Sequence, residues 1–168
     1  MSVTIWVENA KPVQIDSLLP EISITLKSLL GLSCSPALSI DSTWNSEEVI
    51  NPQLIGWIEP NMEKGFSVRV DGEQGVVNVF SYRGVSRFVL SFHPWSAAPL
   101  CAAVAITLAK RSGAEITDLG SIYTISEYQK PDEFTRLLKV EKSFDNFHDA
   151  VECFFSRLPG QSGYADKS

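Results

Sequence analysis

The sequence, 168 residues long, predicts a single α+β domain in which a mainly antiparallel sheet with a central meander carries its helices mostly on one face. The first supporting observation is a pair of alternating apolar segments, 66–70 and 76–82, on either side of Asp71-Gly72-Glu73-Gln74-Gly75, a pattern typical of a β-hairpin. The second is a strand-like segment at 85–92, which extends the hairpin to a meander. The third is a nearly all-apolar helix at 96–111, because a helix that is hydrophobic on every side is usually buried.

Three elements are expected before the meander. Residues 2–7 carry β-branched and aromatic side chains, so we expect an opening strand there. From Ile15 onward, apolar residues recur at helical spacing and predict an amphipathic helix, with Asp16 or Ser17 as its N-cap. A short edge strand is expected at 37–40.

Residues 41–64 form the least regular part of the chain. Within them, only residues 53–59 predict a strand. An irregular segment of this length inside a compact domain is often functional. Trp44 and Trp57 argue against wholesale disorder, since disordered segments are poor in aromatic residues.

After the apolar helix, residues 115–118 and 121–126 are predicted to be extended. Pro131 is expected to open a helix, because proline is favoured in the first helical turn. Three apolar side chains of this helix are expected to face inward: Phe134, Leu137 and Leu138.

A last helix is expected to begin at Ser143 as N-cap and to pack an aromatic stripe against the core. The stripe consists of Phe144, Phe147, Val151, Phe154, Phe155 and Leu158. The domain is expected to span 1–160, with a polar tail at 161–168.

The composition argues against several classes of function. A formal net charge of −6 disfavours nucleic acid, which usually selects a basic stripe. No apolar run approaches the ~18 residues of a membrane span, and the N-terminal residues lack the basic and apolar regions of a secretory signal, so we expect a cytoplasmic protein. Cys34, Cys101 and Cys153 are odd in number and widely spaced, which indicates reduced thiols.

The sequence contains no motif that carries a known chemistry. It lacks a Gly-x-Ser-x-Gly elbow, a phosphate-binding Gly-rich loop and paired metal-ligand spacing, so we expect no catalytic residues, no cofactor and no metal. His93 is the exception that merits an alternative hypothesis, because it follows a strand and precedes a helix. A small-ligand pocket there would be formed by His93, Trp95 and Asp118.

Acidic side chains form three sets along the chain. One set lies in the irregular region beside two tryptophans, and tryptophans ringed by charges are typical of binding hot spots. This candidate binding surface consists of Trp44, Glu47, Glu48, Trp57, Glu59 and Glu63. The other sets are Asp71 with Glu73 at the hairpin turn, and Asp145, Asp149 and Glu152 on the last helix. Two sets that shared a face would attract a basic protein partner.

The order of elements, together with the run from Ala98 through Gly113 to Ile116 and Asp118, resembles that of small bacterial proteins of unknown function. Some of these resemble immunity proteins of polymorphic toxin systems. The resemblance implies a protein that binds and blocks a cognate toxin, here a basic toxin domain, without catalysis. It covers under a quarter of the chain, and it supplies no functional motif to transfer to particular residues.

Three hypotheses of function follow. The first is a non-catalytic, immunity-type binding protein, which should bind the product of a neighbouring toxin gene stoichiometrically. The second is a small-ligand enzyme or sensor, which should show a deep pocket joining His93 to an ionisable partner. The third is a structural or adaptor protein that forms a homodimer by pairing sheet edges.

Overall fold

A computed structural model of the chain describes residues 3–8, 11–45, 48–50, 57–58, 64–82, 86–118, 122–123 and 128–158. The strands are β1 (Val3–Glu8), β2 (Val13–Gln14), β3 (Leu38–Asn45), β4 (Glu48–Ile50), β5 (Trp57–Ile58), β6 (Lys64–Val70), β7 (Val76–Ser81), β8 (Arg87–His93), β9 (Ile116–Asp118) and β10 (Tyr128–Gln129). The helices are α1 (Ile15–Leu30), α2 (Ala98–Ser112), α3 (Pro131–Leu138) and α4 (Phe147–Ser156), and a short 3-10 helix, Trp95–Ala97, leads into α2.

Within these residues, eight strands form one antiparallel sheet in the order β10-β9-β1-β8-β7-β6-β3-β4. Strands β6, β7 and β8 form the predicted meander at its centre, so that prediction is confirmed. The opening strand β1 lies between β8 and β9, where Ile5 faces Leu90 on one side and Asp118 on the other. Strands β2 and β5 pair separately as a two-stranded sheet.

The two faces of the sheet differ in burial. Residues that pair directly across strands share a face, and one face carries apolar side chains that are fully buried: Ile5, Val7, Phe66, Val68, Val77, Val79, Phe88 and Leu90. These side chains form one core with those of the helices. The residues that alternate with them are mostly half-buried, so the helices pack on one face of an α+β domain, as predicted.

Helix α2 lies at the centre of the core. Every residue from Ala98 to Ala109 is buried, and the helix contacts β1 and β8 on one side and α1 on another. Its polar Thr107 hydroxyl donates to the Ala103 carbonyl oxygen at 2.8 Å. Helix α1 is amphipathic and buries one side, as its periodicity predicts.

The prediction of a short edge strand at 37–40 is wrong, because the strand is longer than predicted and does not lie at the edge of the sheet. Strand β3 runs from Leu38 to Asn45, into the segment predicted to be irregular, and it lies between β6 and β4. Its register shifts between Ile40 and Ser42, which interrupts the alternation that marks a strand in sequence. Pairing with β6 therefore stabilises a polar strand with little local signal.

Several predicted element ends are also corrected. Gln14, not Asp16 or Ser17, is the N-cap of α1, and the Ser17 hydroxyl instead donates to the Gln14 carbonyl oxygen at 3.0 Å. The N-cap of α4 is Asn146 and not the predicted Ser143. Helix α4 begins at Phe147, because the Asn146 side chain accepts a hydrogen bond from the Asp149 amide at 3.1 Å.

Other predictions differ in part or lie outside the described residues. Leu137 was expected to face inward but is 46% exposed, whereas Phe134 and Leu138 are buried. Of the predicted strand at 53–59, the structure describes Trp57–Ile58 as a strand. Most of the segment 121–126 and the whole tail 161–168 lie outside the described residues.

The end of α1 is joined to the segment before α4. Gly31 adopts a left-handed conformation with φ of 64°, and its carbonyl oxygen accepts a hydrogen bond from the Phe144 amide at 2.7 Å. The Ser33 amide in turn donates to the Phe144 carbonyl oxygen at 2.9 Å. A Cβ atom on Gly31 would lie 2.1 Å from the Lys142 carbonyl oxygen, so this junction requires glycine for both conformation and space.

We predict that Gly31→Ala destabilises the protein more than Gly113→Ala. Both glycines end helices with nearly the same φ, 64° and 63°, but nothing lies within 4 Å of a Cβ on Gly113. Gly113→Ala should lower the free energy of unfolding by about 1–2 kcal/mol, the cost of the left-handed conformation. Gly31→Ala should cost about 1–3 kcal/mol more from overpacking. Urea denaturation measures both, and equal losses would contradict the proposed junction.

A bidentate ion pair joins the end of α2 to α1. The Arg111 Nε and Nη2 atoms donate to the two Glu21 carboxylate oxygens, each at 2.8 Å, and Nη2 also donates to the Ser17 carbonyl oxygen at 3.0 Å. Hydrogen bonds from Arg111 lower the pKa of the Glu21 carboxyl against the opposing effect of burial. The Glu21 side chain is 50% exposed, so solvent screens much of this interaction.

We predict that Glu21→Gln lowers the free energy of unfolding at pH 7 by about 0.5 kcal/mol. Because the folded-state pKa is lowered, the stabilisation is present above the ordinary glutamate pKa of 4.5 and is lost as pH falls through the folded-state value. The difference between wild type and variant should therefore shrink to zero in acid. Glu141→Gln, at an exposed position, is the control. A difference between wild type and Glu21→Gln that persists in acid would show that the stabilisation does not come from the ion pair of Glu21 with Arg111.

Candidate functional site

The face of the sheet opposite the helices is the most extensive candidate surface. It is here called the open face, and its described side chains include Trp6, Glu8, Ser67, Arg69, Val76, Asn78, Phe80, Tyr82, Arg87, Val89, Ser91 and His93. Most are half-buried, and Tyr82 is 50% exposed. Large apolar side chains on a face that the described helices do not cover make it a candidate contact surface.

Aromatic and aliphatic side chains lie at the centre of the open face. Backbone register places Trp6 opposite Val89, and Val89 opposite Phe80 on the next strand. The Phe80 and Tyr82 ring centroids are 5.2 Å apart. Trp6, Val89, Phe80 and Tyr82 form an apolar patch across β1, β8 and β7, with Tyr82 directly after the last residue of β7.

An arginine is held in place at the edge of this patch. The Arg87 guanidinium carbon lies 4.0 Å from the centroid of the Trp6 ring, in a cation–π contact. The Glu8 carboxylate oxygen Oε2 lies 3.5 Å from Arg87 Nε. Two neighbours thus restrict the Arg87 side chain, which reduces the entropy that it would lose on binding a partner.

A second ion pair lies on the far side of the patch. Arg69 Nη2 is 3.0 Å from Asp41 Oδ1, and the Ser42 and Ser67 hydroxyl oxygens are 2.6 Å apart. The charges of Arg69 and Arg87 are therefore balanced by Asp41 and Glu8. The described part of the open face is aromatic and close to neutral, although the chain as a whole has a formal charge of −6.

The structure describes only part of the predicted acidic and tryptophan surface. Glu47, Glu59 and Glu63 lie outside the described residues. Trp44 lies on β3 opposite Gly65 and Val49, and Glu48 on β4 opposite Asn45, so both belong to one hairpin at the edge of the main sheet. Trp57 lies on β5 opposite Gln14, in the separate two-stranded sheet.

One of these positions is connected to the open face by register. Trp44 is opposite Gly65, Gly65 is opposite Phe80, and Phe80 is opposite Val89. The backbone of Trp44 therefore lies in the same transverse row of the sheet as the centre of the apolar patch.

The alternative pocket of His93, Trp95 and Asp118 is not assembled. His93 pairs with Val76 at the end of β8 and is exposed, on the face opposite the core. Asp118 pairs with Ile5 and is fully buried on the core face. The Trp95 ring packs edge-on against Phe92, with centroids 5.8 Å apart. The sheet itself therefore separates the histidine from the carboxylate.

Asp118 has a structural role in the described residues. Its carboxylate accepts hydrogen bonds from the Ile122 amide at 3.1 Å and the Tyr123 amide at 2.8 Å. The Tyr123 hydroxyl donates to the Ala98 carbonyl oxygen at 2.7 Å, at the first residue of α2. A buried carboxylate is tolerated when hydrogen bonds satisfy it, and here those bonds fix the chain beyond β9 against α2.

The three thiols differ in environment. Cys101 is buried in α2, and this burial raises the pKa of its thiol to about 12, with a smaller contribution from the charge of Asp118. A thiol with this pKa is protonated at neutral pH and is a poor nucleophile. Cys34 is exposed and Cys153 is half-buried.

Among the described residues, no group of three or more His, Cys, Asp or Glu side chains is placed to hold a metal ion. None of the helices described is both long enough and apolar enough to cross a bilayer.

Sequence reasoning missed the open face, although β7 carried a signal for it. Along 76–82, Val77 and Val79 alternate with Val76, Phe80 and Tyr82, so both sides of this strand are rich in apolar side chains. In a sheet with helices on one face, such a strand predicts a second contact surface. Trp6 is the same kind of signal on β1, because it is a large apolar side chain between the core residues Ile5 and Val7.

Comparisons of the chain with protein-family models, with curated proteins and with solved structures found no match.

Proposed function

We propose that this chain is a non-catalytic protein-binding domain of the immunity type, which neutralises a cognate toxin in the cytoplasm by binding it across the open face. The observation that supports this proposal is the apolar patch of Trp6, Phe80, Tyr82 and Val89 on the face of the sheet that the described helices leave uncovered. Tryptophan, tyrosine and arginine dominate the binding energy of protein interfaces.

The position of the patch supports binding with little entropic cost. Three of its residues, Trp6, Phe80 and Val89, lie on strands that are paired on both sides, which restricts backbone motion. Strands lie ~4.8 Å apart, so β1, β8, β7, β6 and β3 span roughly 20 Å across the sheet. A face of this width suits the buried centre of a standard interface, about 800 Å² on each partner.

The charge of the chain supports a basic partner. Because the ion pairs on the open face are balanced, the formal charge of −6 is carried by side chains elsewhere on the chain. Such a distribution would attract a basic toxin domain from a distance and increase its association rate, while the aromatic patch would supply short-range affinity.

We predict that Tyr82→Ser weakens binding to the cognate toxin domain, which we expect a neighbouring gene to encode, by at least tenfold. Leu137→Ser is the matched control, because Leu137 is 46% exposed and Tyr82 50% exposed, and Leu137 lies on α3 in the helical layer. Isothermal titration calorimetry measures affinity and stoichiometry, and a melting curve checks that both variants remain folded.

The same variants can be tested for neutralisation in cells that express the neighbouring gene product. Tyr82→Ser should fail to restore growth, and Leu137→Ser should restore it. Equal affinities for the two variants would contradict binding through the open face. If the wild type and Leu137→Ser form a homodimer and Tyr82→Ser does not, the open face is instead a surface for self-association.

A further inference from the structure

We propose that a cleft between the β6–β7 turn and α4 binds a protein segment in which lysine or arginine alternates with apolar side chains. This site is separate from the open face and does not rest on the function proposed for it. The cleft has a volume of about 380 Å³, within the ~300–1,000 Å³ range of pockets that hold small ligands.

The floor of the cleft is apolar. It is lined by side chains from the end of β6, the end of the 3-10 helix, the start of α2 and one side of α4: Val70, Ala97, Leu100, Phe147 and Val151. The floor is also closely packed, because a Cβ atom on Gly75 would lie 2.8 Å from the Ala97 Cβ atom. A partner's apolar side chain would therefore meet a firm, pre-formed surface.

One carboxylate lies in the wall of the cleft. Glu73 is only 27% exposed, and its Oε1 atom lies 3.3 Å from Nε2 of His148, whose side chain is 75% exposed at the rim. Among the described residues, no lysine or arginine forms an ion pair with Glu73. A carboxylate sheltered in a cleft gains most from a full positive charge, because partial desolvation strengthens a charge-assisted hydrogen bond.

Exposed carboxylates on the turn and on the α4 region, the two segments that form the cleft walls, add to this negative potential. The contact between Glu73 and His148 brings together two acidic sets that are far apart in sequence. Asp71 in the turn and Asp145, Asp149 and Glu152 in the α4 region are all exposed, although none of them lines the cleft itself. Residues 71–75 and 145–156 contain neither lysine nor arginine. The complementary occupant is therefore a cationic segment, and the apolar floor requires that its cations stand next to apolar side chains.

The test uses three acetylated, amidated peptides and an ¹⁵N-labelled chain. The peptide Lys-Leu-Arg-Leu-Lys has both features, Lys-Ser-Arg-Ser-Lys has the charge alone, and Glu-Leu-Glu-Leu-Glu reverses the charge. We expect saturable shifts of the Glu73, Gly75 and His148 amide signals with the first peptide, at least fivefold weaker binding of the second, and no binding of the third.

Variants separate the cleft from general attraction of positive charge. Glu73→Gln should weaken binding of Lys-Leu-Arg-Leu-Lys at least fivefold, while Glu115→Gln, at an exposed position on another part of the chain, should change it less than twofold. If Glu73→Gln does not fold, Gln74→Lys serves the same purpose, because Gln74 is exposed and lines the cleft. Tyr82→Ser should leave peptide binding unchanged, so this proposal and the one for the open face can fail independently.

Three results would overturn the proposal. One is equal binding of the leucine and serine peptides, which would make the apolar floor irrelevant. Another is a set of shifts spread over exposed acidic residues such as Asp16, Glu115 and Glu133, which would show attraction without a site. The third is a set of shifts centred on Val89 and Tyr82, which would place the peptide on the open face.

Discussion

The packing of α2 against the centre of the sheet is the interaction on which the rest of the structure depends. Its residues from Ala98 to Ala109 are all buried, and alanines at many of these positions let the helix approach β1 and β8 closely. Burial of apolar surface on this scale is the dominant favourable term in folding. It also fixes the inner faces of β1 and β8, and α1 packs on α2 in turn. The open face, on the other side of the sheet, takes no part in this packing.

The buried carboxylate of Asp118 supports the packing of α2 against the sheet. Asp118, which resembled a candidate functional carboxylate in sequence, accepts backbone hydrogen bonds from Ile122 and Tyr123, and the Tyr123 hydroxyl donates to Ala98. The carboxylate therefore connects β9 to the start of α2. The distinctive side chains outside the core are instead aromatic residues on the open face and carboxylates around the cleft at α4. Aromatic anchors and charged rims belong to recognition surfaces, which is why binding is the function proposed here.

Periodicity predicted the meander, the two long helices and their buried sides, because these elements carry strong local patterns. It did not predict the extent of β3, whose polar residues and register shift between Ile40 and Ser42 give a weak signal that pairing with β6 overrides. Nor did it predict the candidate sites. Alternation tells which residues share a face of a strand, but only the long-range insertion of β1 between β8 and β9 places Trp6 beside Val89. Likewise, only tertiary packing brings Glu73 to His148, 75 positions along the chain.

Hydroxyl-radical footprinting of the chain, alone and mixed with the toxin domain proposed as its partner, tests most directly the claim that helices cover one face of the sheet and leave the other face for binding. In the free chain, Trp6, Phe80 and Tyr82 should be oxidised readily, while Phe66 and Phe88 on the core face should be protected. Binding should protect the first three and leave the exposed Ile24 on α1 reactive. If Phe80 and Tyr82 are as protected as Phe88 in the free chain, the open face is already covered and the claim is wrong. If the reactivity of Trp6, Phe80 and Tyr82 does not change on binding, the partner does not bind to this face.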